Sequence, residues 1–434
     1  MLLSFTIAND RAFACESTLS LVATKLKDVE DGHTVPVGDM AETQALTSAL
    51  ILGKNNSGKS TLVSAMRFIS QIVKKSAAES QKSEKIPYYP NLLTDGCSDQ
   101  PTSYRLVFSM RGTVFDFEFS HVSDRITYER LSVADKSVRF RKMYERTYIS
   151  DEERYNYTFG DALSGRRATW QDVTRDNSLF LSTAVSLNAE DLFPAWEWLT
   201  TYLVTLDISS PILKNVTARM CLESAARRRQ IVSFLQALDI NVVDVEIEED
   251  EIDENFLNST FAAKFLETIK SELGESEFKA RWKVRFQKKA GQDKTQLFSL
   301  NRESTGTQIL FGMAGPLFEA LEYGRCLIVD EINTSLHPVI VRFLVDLFAD
   351  TSQNLLRAQL IFTSHDTSVL AQHRLRRDQV WLIESDGMGA ELIPLSDFSP
   401  RKGEALDKGY LGGRYGGIPV IAAGLLADCL PEID

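Results

Sequence analysis

One stretch constrains this chain more than any other: Gly53-Lys54-Asn55-Asn56-Ser57-Gly58-Lys59-Ser60, a complete GxxxxGK[ST] pattern. The apolar run Leu46 to Leu52 precedes it and reads as a buried strand. After it, Leu62, Ala65, Met66, Ile69 and Val73 recur at helical spacing. A strand that enters a glycine-rich turn and leaves as a helix points free backbone N–H groups at an anion. Gly53, Asn55, Asn56, Ser57, Gly58, Lys59, Ser60 and Thr61 are therefore expected to bind nucleotide. Lys59 would reach the β and γ oxygens, and Ser60 would ligate Mg²⁺, so the expected cofactors are ATP and Mg²⁺.

Three further patterns complete a nucleotide chemistry. Cys326-Leu327-Ile328-Val329 reads as a buried strand that ends in Asp330-Glu331. There Asp330 would hold the Mg²⁺ shell and Glu331 would polarise the attacking water. One strand later comes Thr363-Ser364-His365-Asp366, where His365 can hydrogen-bond a γ-phosphate and sense its hydrolysis. Upstream, Glu303-Ser304-Thr305-Gly306-Thr307-Gln308 opens the apolar helix Ile309 to Leu321. A Ser and a Gly at a helix start make an anion-binding cap, although alone this is an ordinary N-cap.

The chain around these motifs is α/β in pattern. Alternation in Tyr104–Phe108 and Val114–Phe119, with Arg111-Gly112 between them, predicts antiparallel hairpins continuing to about Val138. Asp28 to Glu42 and Lys74 to Gln100 read as irregular, polar surface segments. Three regions are expected: 1–190 as an N-terminal lobe, 191–280 as a mostly helical insertion, and 281–434 as a C-terminal lobe. Within the acidic stretch 244–254, Val245 and Ile247 alternate with acids, as in a strand with one solvated face. The basic residues Arg227, Arg228, Arg229, Arg281, Lys283 and Arg285 read as solvated faces rather than a nucleic-acid patch. His33, His121 and His373 belong to no ligand-spaced set, and the glycines between 409 and 417 mark a tight loop.

Composition narrows the setting. A net charge of −12 repels nucleic acid and anionic membranes, so a DNA contact would need a local basic patch. The five cysteines include no CxxC pair, which fits reduced thiols rather than a disulfide frame or zinc site. No apolar run approaches the roughly 18 residues of a membrane span. No basic n-region marks a signal peptide, and a cytoplasmic location without a membrane partner is expected.

The order of glycine-rich loop, Ser-x-Gly, Asp-Glu and His resembles the ABC/SMC-like ATPase superfamily. The resemblance implies an ABC-type P-loop head in which Ser304 and Gly306, placed 24 residues before Asp330 in the case of Gly306, reach the ATP of an opposite subunit. A homo-oligomer, at least a head-to-head dimer, follows from it. Asn9-Asp10-Arg11-Ala12-Phe13, Asn333-Thr334-Ser335-Leu336-His337-Pro338, Leu375–Trp381 and Gly409–Pro419 look like a bacterial abortive-infection branch. That branch is similar to AbiL-, Septu- and PARIS-type phage-defence ATPases and to the ATPase half of OLD-family nucleases. The resemblance implies that Arg11 lies near the nucleotide and that Asn333 to Pro338 links two sites. It further implies an ATP-driven sensor or scaffold controlling a separate toxic effector, such as a nuclease.

Competing functions are separated by specific residues. A transporter ATPase would carry Gly at the position of Thr305 and a clear Q-loop, for which Gln100 is a weak candidate. Long SMC-type arms need heptads, and the insertion has none. A short-armed RecF-like DNA-repair ATPase is the remaining alternative, so nucleic acid is compatible but not required. With 69 residues after His365, there is no room for a Toprim nuclease, and the killing chemistry is expected on another polypeptide.

Overall fold

The computed structural model describes residues 1–26, 32–38, 40–81, 83–134, 139–250, 281–291, 294–371, 375–401 and 403–419. His373 and the acidic residues Glu251, Asp253 and Glu254 lie outside them. In chain order, β1 (Leu2–Ala8), β2 (Ser17–Ser20), β3 (Thr34–Val37), β4 (Met40–Leu46) and β5 (Ser48–Gly53) lead into α1 (Lys59–Lys75). Then follow β6 (Thr102–Met110), β7 (Thr113–His121), β8 (Ile126–Ala134), β9 (Arg141–Ile149) and β10 (Arg154–Phe159). Helices α2 (Arg167–Val173), α3 (Phe180–Ser186) and α4 (Phe193–Glu197) precede β11 (Leu203–Leu206), α5 (Pro211–Glu223) and α6 (Ala225–Ala237). Strands β12 (Asp244–Asp250), β13 (Arg281–Ala290) and β14 (Lys294–Ser299) come next, then α7 (Thr305–Tyr323) and β15 (Cys326–Val329). The chain continues through α8 (Pro338–Ala349), β16 (Gln359–Thr363), β17 (Val380–Ser385), β18 (Ala390–Pro394) and α9 (Leu406–Leu411).

Two compact units emerge: 1–206 with 320–333 and 341–434, and 207–319 with 334–340. The first holds the β3–β4 hairpin and two large sheets. One is antiparallel in the order β10-β9-β8-β7-β6-β1-β2, and the other is ordered β11-β15-β16-β5-β17-β18. In the second sheet β11, β15, β16, β5 and β17 run parallel, and only β18 runs against its neighbour. Parallel strands are covered on both faces and so read as unbroken apolar runs. Every residue of β5, β15 and β16 is buried accordingly. This is the α/β architecture expected of an ABC-type P-loop head: a mostly parallel sheet beside an antiparallel N-terminal sheet.

The two sheets share one core with α1. Leu62, Ala65, Met66, Ile69 and Val73 all point into it, as the helical spacing requires. Gln359 clips the sheets together: its side chain accepts from Leu2 N at 2.6 Å and donates to Leu2 O at 3.0 Å and Leu46 O at 2.9 Å. Buried Glu129 accepts from Phe180 N at 2.6 Å and Leu181 N at 2.9 Å, satisfying free N–H groups of the first turn of α3. Buried Arg146 lies 3.8 Å away, and Tyr144 donates to Glu129 at 2.8 Å.

Two segments differ from expectation. Part of the segment read as irregular, Asp28 to Glu42, falls in the β3–β4 hairpin, in which Val35 and Val37 are buried while Pro36 faces out. Pro36 and the flanking polar residues hide a strand of only four positions. The antiparallel sheet also continues past Val138, through β9 and β10.

In the second unit, α5 and α6 are followed by the sheet β12-β13-β14. The acidic strand pairs with the basic one: Glu246 lies opposite Arg285, and Glu248 opposite Lys283. Arg285 bonds Glu248 and lies 3.8 Å from Glu246, so much of this charge is internally matched. Among the described residues no helix is long and apolar enough to cross a membrane.

Candidate functional site

Parallel register brings four strand ends to one edge. Ile383 lies beside Gly53, Ile51 beside Thr363, and Phe362 beside Val329. In open parallel sheets the crevice beyond the carboxyl ends is where ligands bind. The phosphate-binding pattern, Asp330-Glu331 and His365 all leave the sheet at this edge.

Gly58 caps α1 in the left-handed region, at φ 112°, a conformation that strongly favours glycine. The turn directs the first N–H groups of α1 outward, where Ser60 and Asn56 are exposed and Thr61 is half-buried. Lys59 is 5% exposed. Its ammonium donates to Gly53 O at 2.8 Å and Lys54 O at 2.9 Å, so it folds back onto its own loop. Burial lowers its pKa, while the nearby charges of Glu331 and Asp330 oppose that shift. The Oγ of Ser57 is buried in the loop without a hydrogen-bond partner.

The acid pair is fixed by the neighbouring strand. Thr363 Oγ1 donates to Asp330 Oδ1 at 2.6 Å and accepts from Glu331 N at 2.7 Å. Glu331 has φ 49°, an uncommon backbone for a non-glycine residue, and Ile332 N is anchored on Thr363 O at 3.1 Å. His365 Nε2 lies 3.6 Å from Glu331 Oε1, with both side chains partly exposed. Asn333 Oδ1 accepts from Ser364 Oγ at 3.0 Å and His365 N at 3.3 Å, which ties the His365 turn to the segment after the acids. A cleft of about 820 Å³ is lined by Gly53, Lys54, Asn55, Asn56, His365, Tyr410 and Gly417 among others.

Arg11 sits in the β1–β2 turn with φ 47°, and its guanidinium lies 4.8 Å from the Tyr89 ring centroid. Asn91 secures this turn by donating to Arg11 O at 2.8 Å. The adjacent Ala12 and Phe13 pack closest to Gly58, which brings the β1–β2 turn against the phosphate loop.

Ser304 and Gly306 belong to the second unit, at the start of α7. Ser304 Oγ accepts from Thr307 N at 3.2 Å, a true N-cap bond. A Cβ on Gly306 would stand 2.6 Å from Ser335 O, so glycine is required where α7 meets the segment after the acid pair. Gln100, the weak Q-loop candidate, lends its carbonyl to Asn9 and Tyr88.

Sequence reasoning named His365 but gave no role to Thr363, although Thr363 connects the two acids. Asn333 appeared only as part of a longer segment, and Lys54 as a variable position of the loop. Lys54 Nζ donates to Ser385 O at 2.8 Å. A polar side chain closing an apolar strand, as at Thr363, was the available signal.

Comparison with known proteins adds classification to this geometry. Residues 48–371 match the family described as "AAA domain, putative AbiEii toxin, Type IV TA system". No curated protein matches. Among solved structures the chain is similar to an SMC head domain from Thermotoga maritima, at 11% identity and TM-score 0.40, covering 91% of this chain and 98% of that one. It is similar to the recombination mediator protein RecF-ATPrS of the RecFOR pathway at 12% identity and TM-score 0.34, covering 91% of this chain and 98% of that one. The RecF-ATP structure gives 12% identity and TM-score 0.31 over 90% and 97%. The family match spans the phosphate loop, Asp330-Glu331 and His365 together, and the chain belongs to that AAA-domain family.

Proposed function

We propose that the chain binds and hydrolyses ATP with Mg²⁺ and acts as the sensor or scaffold of a bacterial anti-phage system that controls a separate effector. The observation that carries the ATPase reading is the convergence of Lys59, Asp330, Glu331 and His365 at one edge of the parallel sheet. In the proposed roles, backbone amides from Gly53 to Thr61 and the side chain of Arg11 hold the nucleotide. Lys59 leaves the carbonyls of Gly53 and Lys54 and pairs with β and γ oxygens. Mg²⁺ prefers one or two protein oxygens plus phosphates, and Ser60 with Asp330 supplies that set. Among the described residues no cluster of three or more His, Cys, Asp or Glu offers a competing metal site.

Glu331 orients and deprotonates water, and Thr363 holds its backbone where it can do so. His365, 3.6 Å from Glu331, reads whether the γ-phosphate is present. Ser304 and Gly306 cap the nucleotide of a second copy, which makes ATP binding and dimerisation one event. The defence role is supported by the family, whose description names a toxin–antitoxin type, and by the abortive-infection motifs.

The test is affinity capture of the Glu331→Gln chain from its native host with ATP present. A stoichiometric nuclease or toxin is the expected product. DNA without a protein partner would contradict the scaffold reading and favour a RecF-like repair ATPase.

A further inference from the structure

The glycine-rich segment near residue 415 lies against the phosphate loop. Tyr410 OH donates to Gly417 O at 2.9 Å, which closes a turn. Gly417 N donates to Glu384 Oε1 at 3.1 Å, which fastens the turn to the end of β17. Gly416 has φ 74°, and a Cβ there would stand 1.3 Å from Glu384 Oε1. The position thus admits glycine alone while that bond exists. A Cβ added at Gly417 would stand 3.7 Å from Gly53 Cα, so the turn runs alongside the first residue of the phosphate loop. Tyr415, with no exposure, is anchored by its hydroxyl on Glu404 at 2.7 Å.

Adjacent residues of β17 therefore hold two different loops. Glu384 accepts from Gly417, and the next residue, Ser385, accepts from the Lys54 ammonium at 2.8 Å. Gly53 and Lys54 are also the residues whose carbonyls take the Lys59 ammonium. The same backbone that must release Lys59 to a triphosphate is flanked by the glycine-rich turn.

We propose that the Tyr410–Gly417 turn, pinned by Glu384, is a positioning element of the nucleotide site. It holds Gly53 and Lys54 in the conformation that a triphosphate requires and, through Tyr410 and Gly417, lines the same cleft. The proposal rests on the ATP-binding reading. Its residues are positioning residues, since the contacts run through the phosphate loop.

The experiment is titration of the full chain with ATP and Mg²⁺, together with steady-state kinetics and melting curves. Glu384→Ala and Tyr410→Phe should each raise Kd and KM about tenfold, the scale of one lost buried hydrogen bond, with kcat nearly unchanged. Glu384→Gln keeps an oxygen acceptor for Gly417 N and should restore affinity. Because both bonds act on Gly417, the double variant should be little weaker than either single one. If Glu384→Ala fails to fold, Tyr410→Phe decides alone. Lys59→Ala separates the two ideas. If it loses ATP while Glu384→Ala and Tyr410→Phe bind like the wild type, the turn has no positioning role. If the wild type itself binds no ATP, the nucleotide reading falls and this inference with it.

Discussion

At the residue scale the site depends on one hydroxyl. Thr363 accepts from the Glu331 amide and donates to Asp330, so a single side chain sets both acids. Thr363→Val keeps the shape and removes both bonds. An otherwise satisfied amide then loses its partner, which costs on the order of 1–3 kcal/mol. Turnover should fall at least about tenfold with little change in ATP affinity, since the chemistry loses its geometry and the phosphate loop does not. Phosphate release measured beside an ATP titration checks this; an unchanged kcat would show that Thr363 is only a packing residue. Both acids were legible because they close the apolar run Cys326–Val329, and His365 because it lies just past the end of the next such strand. Thr363 was not, since its role depends on a neighbour 33 residues away.

At the scale of elements, the phosphate-loop helix meets the antiparallel sheet through aromatic rings. Phe68 of α1 stands 5.2 Å from the His121 ring and 5.8 Å from Tyr104, while His121 stacks on Phe119 at 6.1 Å. Burial pushes the His121 imidazole down to about 4, below its ordinary 6.5, and its Nε2 has no hydrogen-bond partner. The folded state keeps it neutral, whereas the unfolded chain takes a proton below pH 6.5. Its contribution is therefore complete above about 6.5 and is lost as pH falls toward about 4. Over that window it amounts to about 3 kcal/mol. His121→Phe should flatten the fall of Tm between pH 6.5 and 4 relative to the wild type. Parallel slopes for the two chains would remove His121 from the account. The helical spacing of α1 was readable because one continuous face is buried, and the parallel strands because they are covered on both sides. The β3–β4 hairpin escaped because four residues with an outward Pro36 carry too little alternation.

For the whole molecule, sequence order and spatial order differ in an instructive way. The motif strands β5, β15 and β16 are far apart in the chain, yet β16 lies between the other two in the sheet. Local patterns identified each strand, but only long-range pairing places His365 beside both the phosphate loop and Glu331. Unlike the motif strands, the glycine-rich turn gave no chemical signal, because its neighbours Glu384 and Gly53 lie 33 residues away and at the other end of the chain. Charge behaves similarly: the acidic and basic runs near 244 and 285 read as separate solvated faces in sequence and pair with each other in the fold.

The central claim is that Glu331 activates water against an ATP held by Lys59. Phosphate release by the purified chain with Mg²⁺ and ATP tests it directly, comparing the wild type with Glu331→Gln. A turnover lower by roughly 10² to 10⁴ in the variant, with ATP still bound, is the predicted result for loss of a positioned base. Equal rates in the two chains would contradict the account.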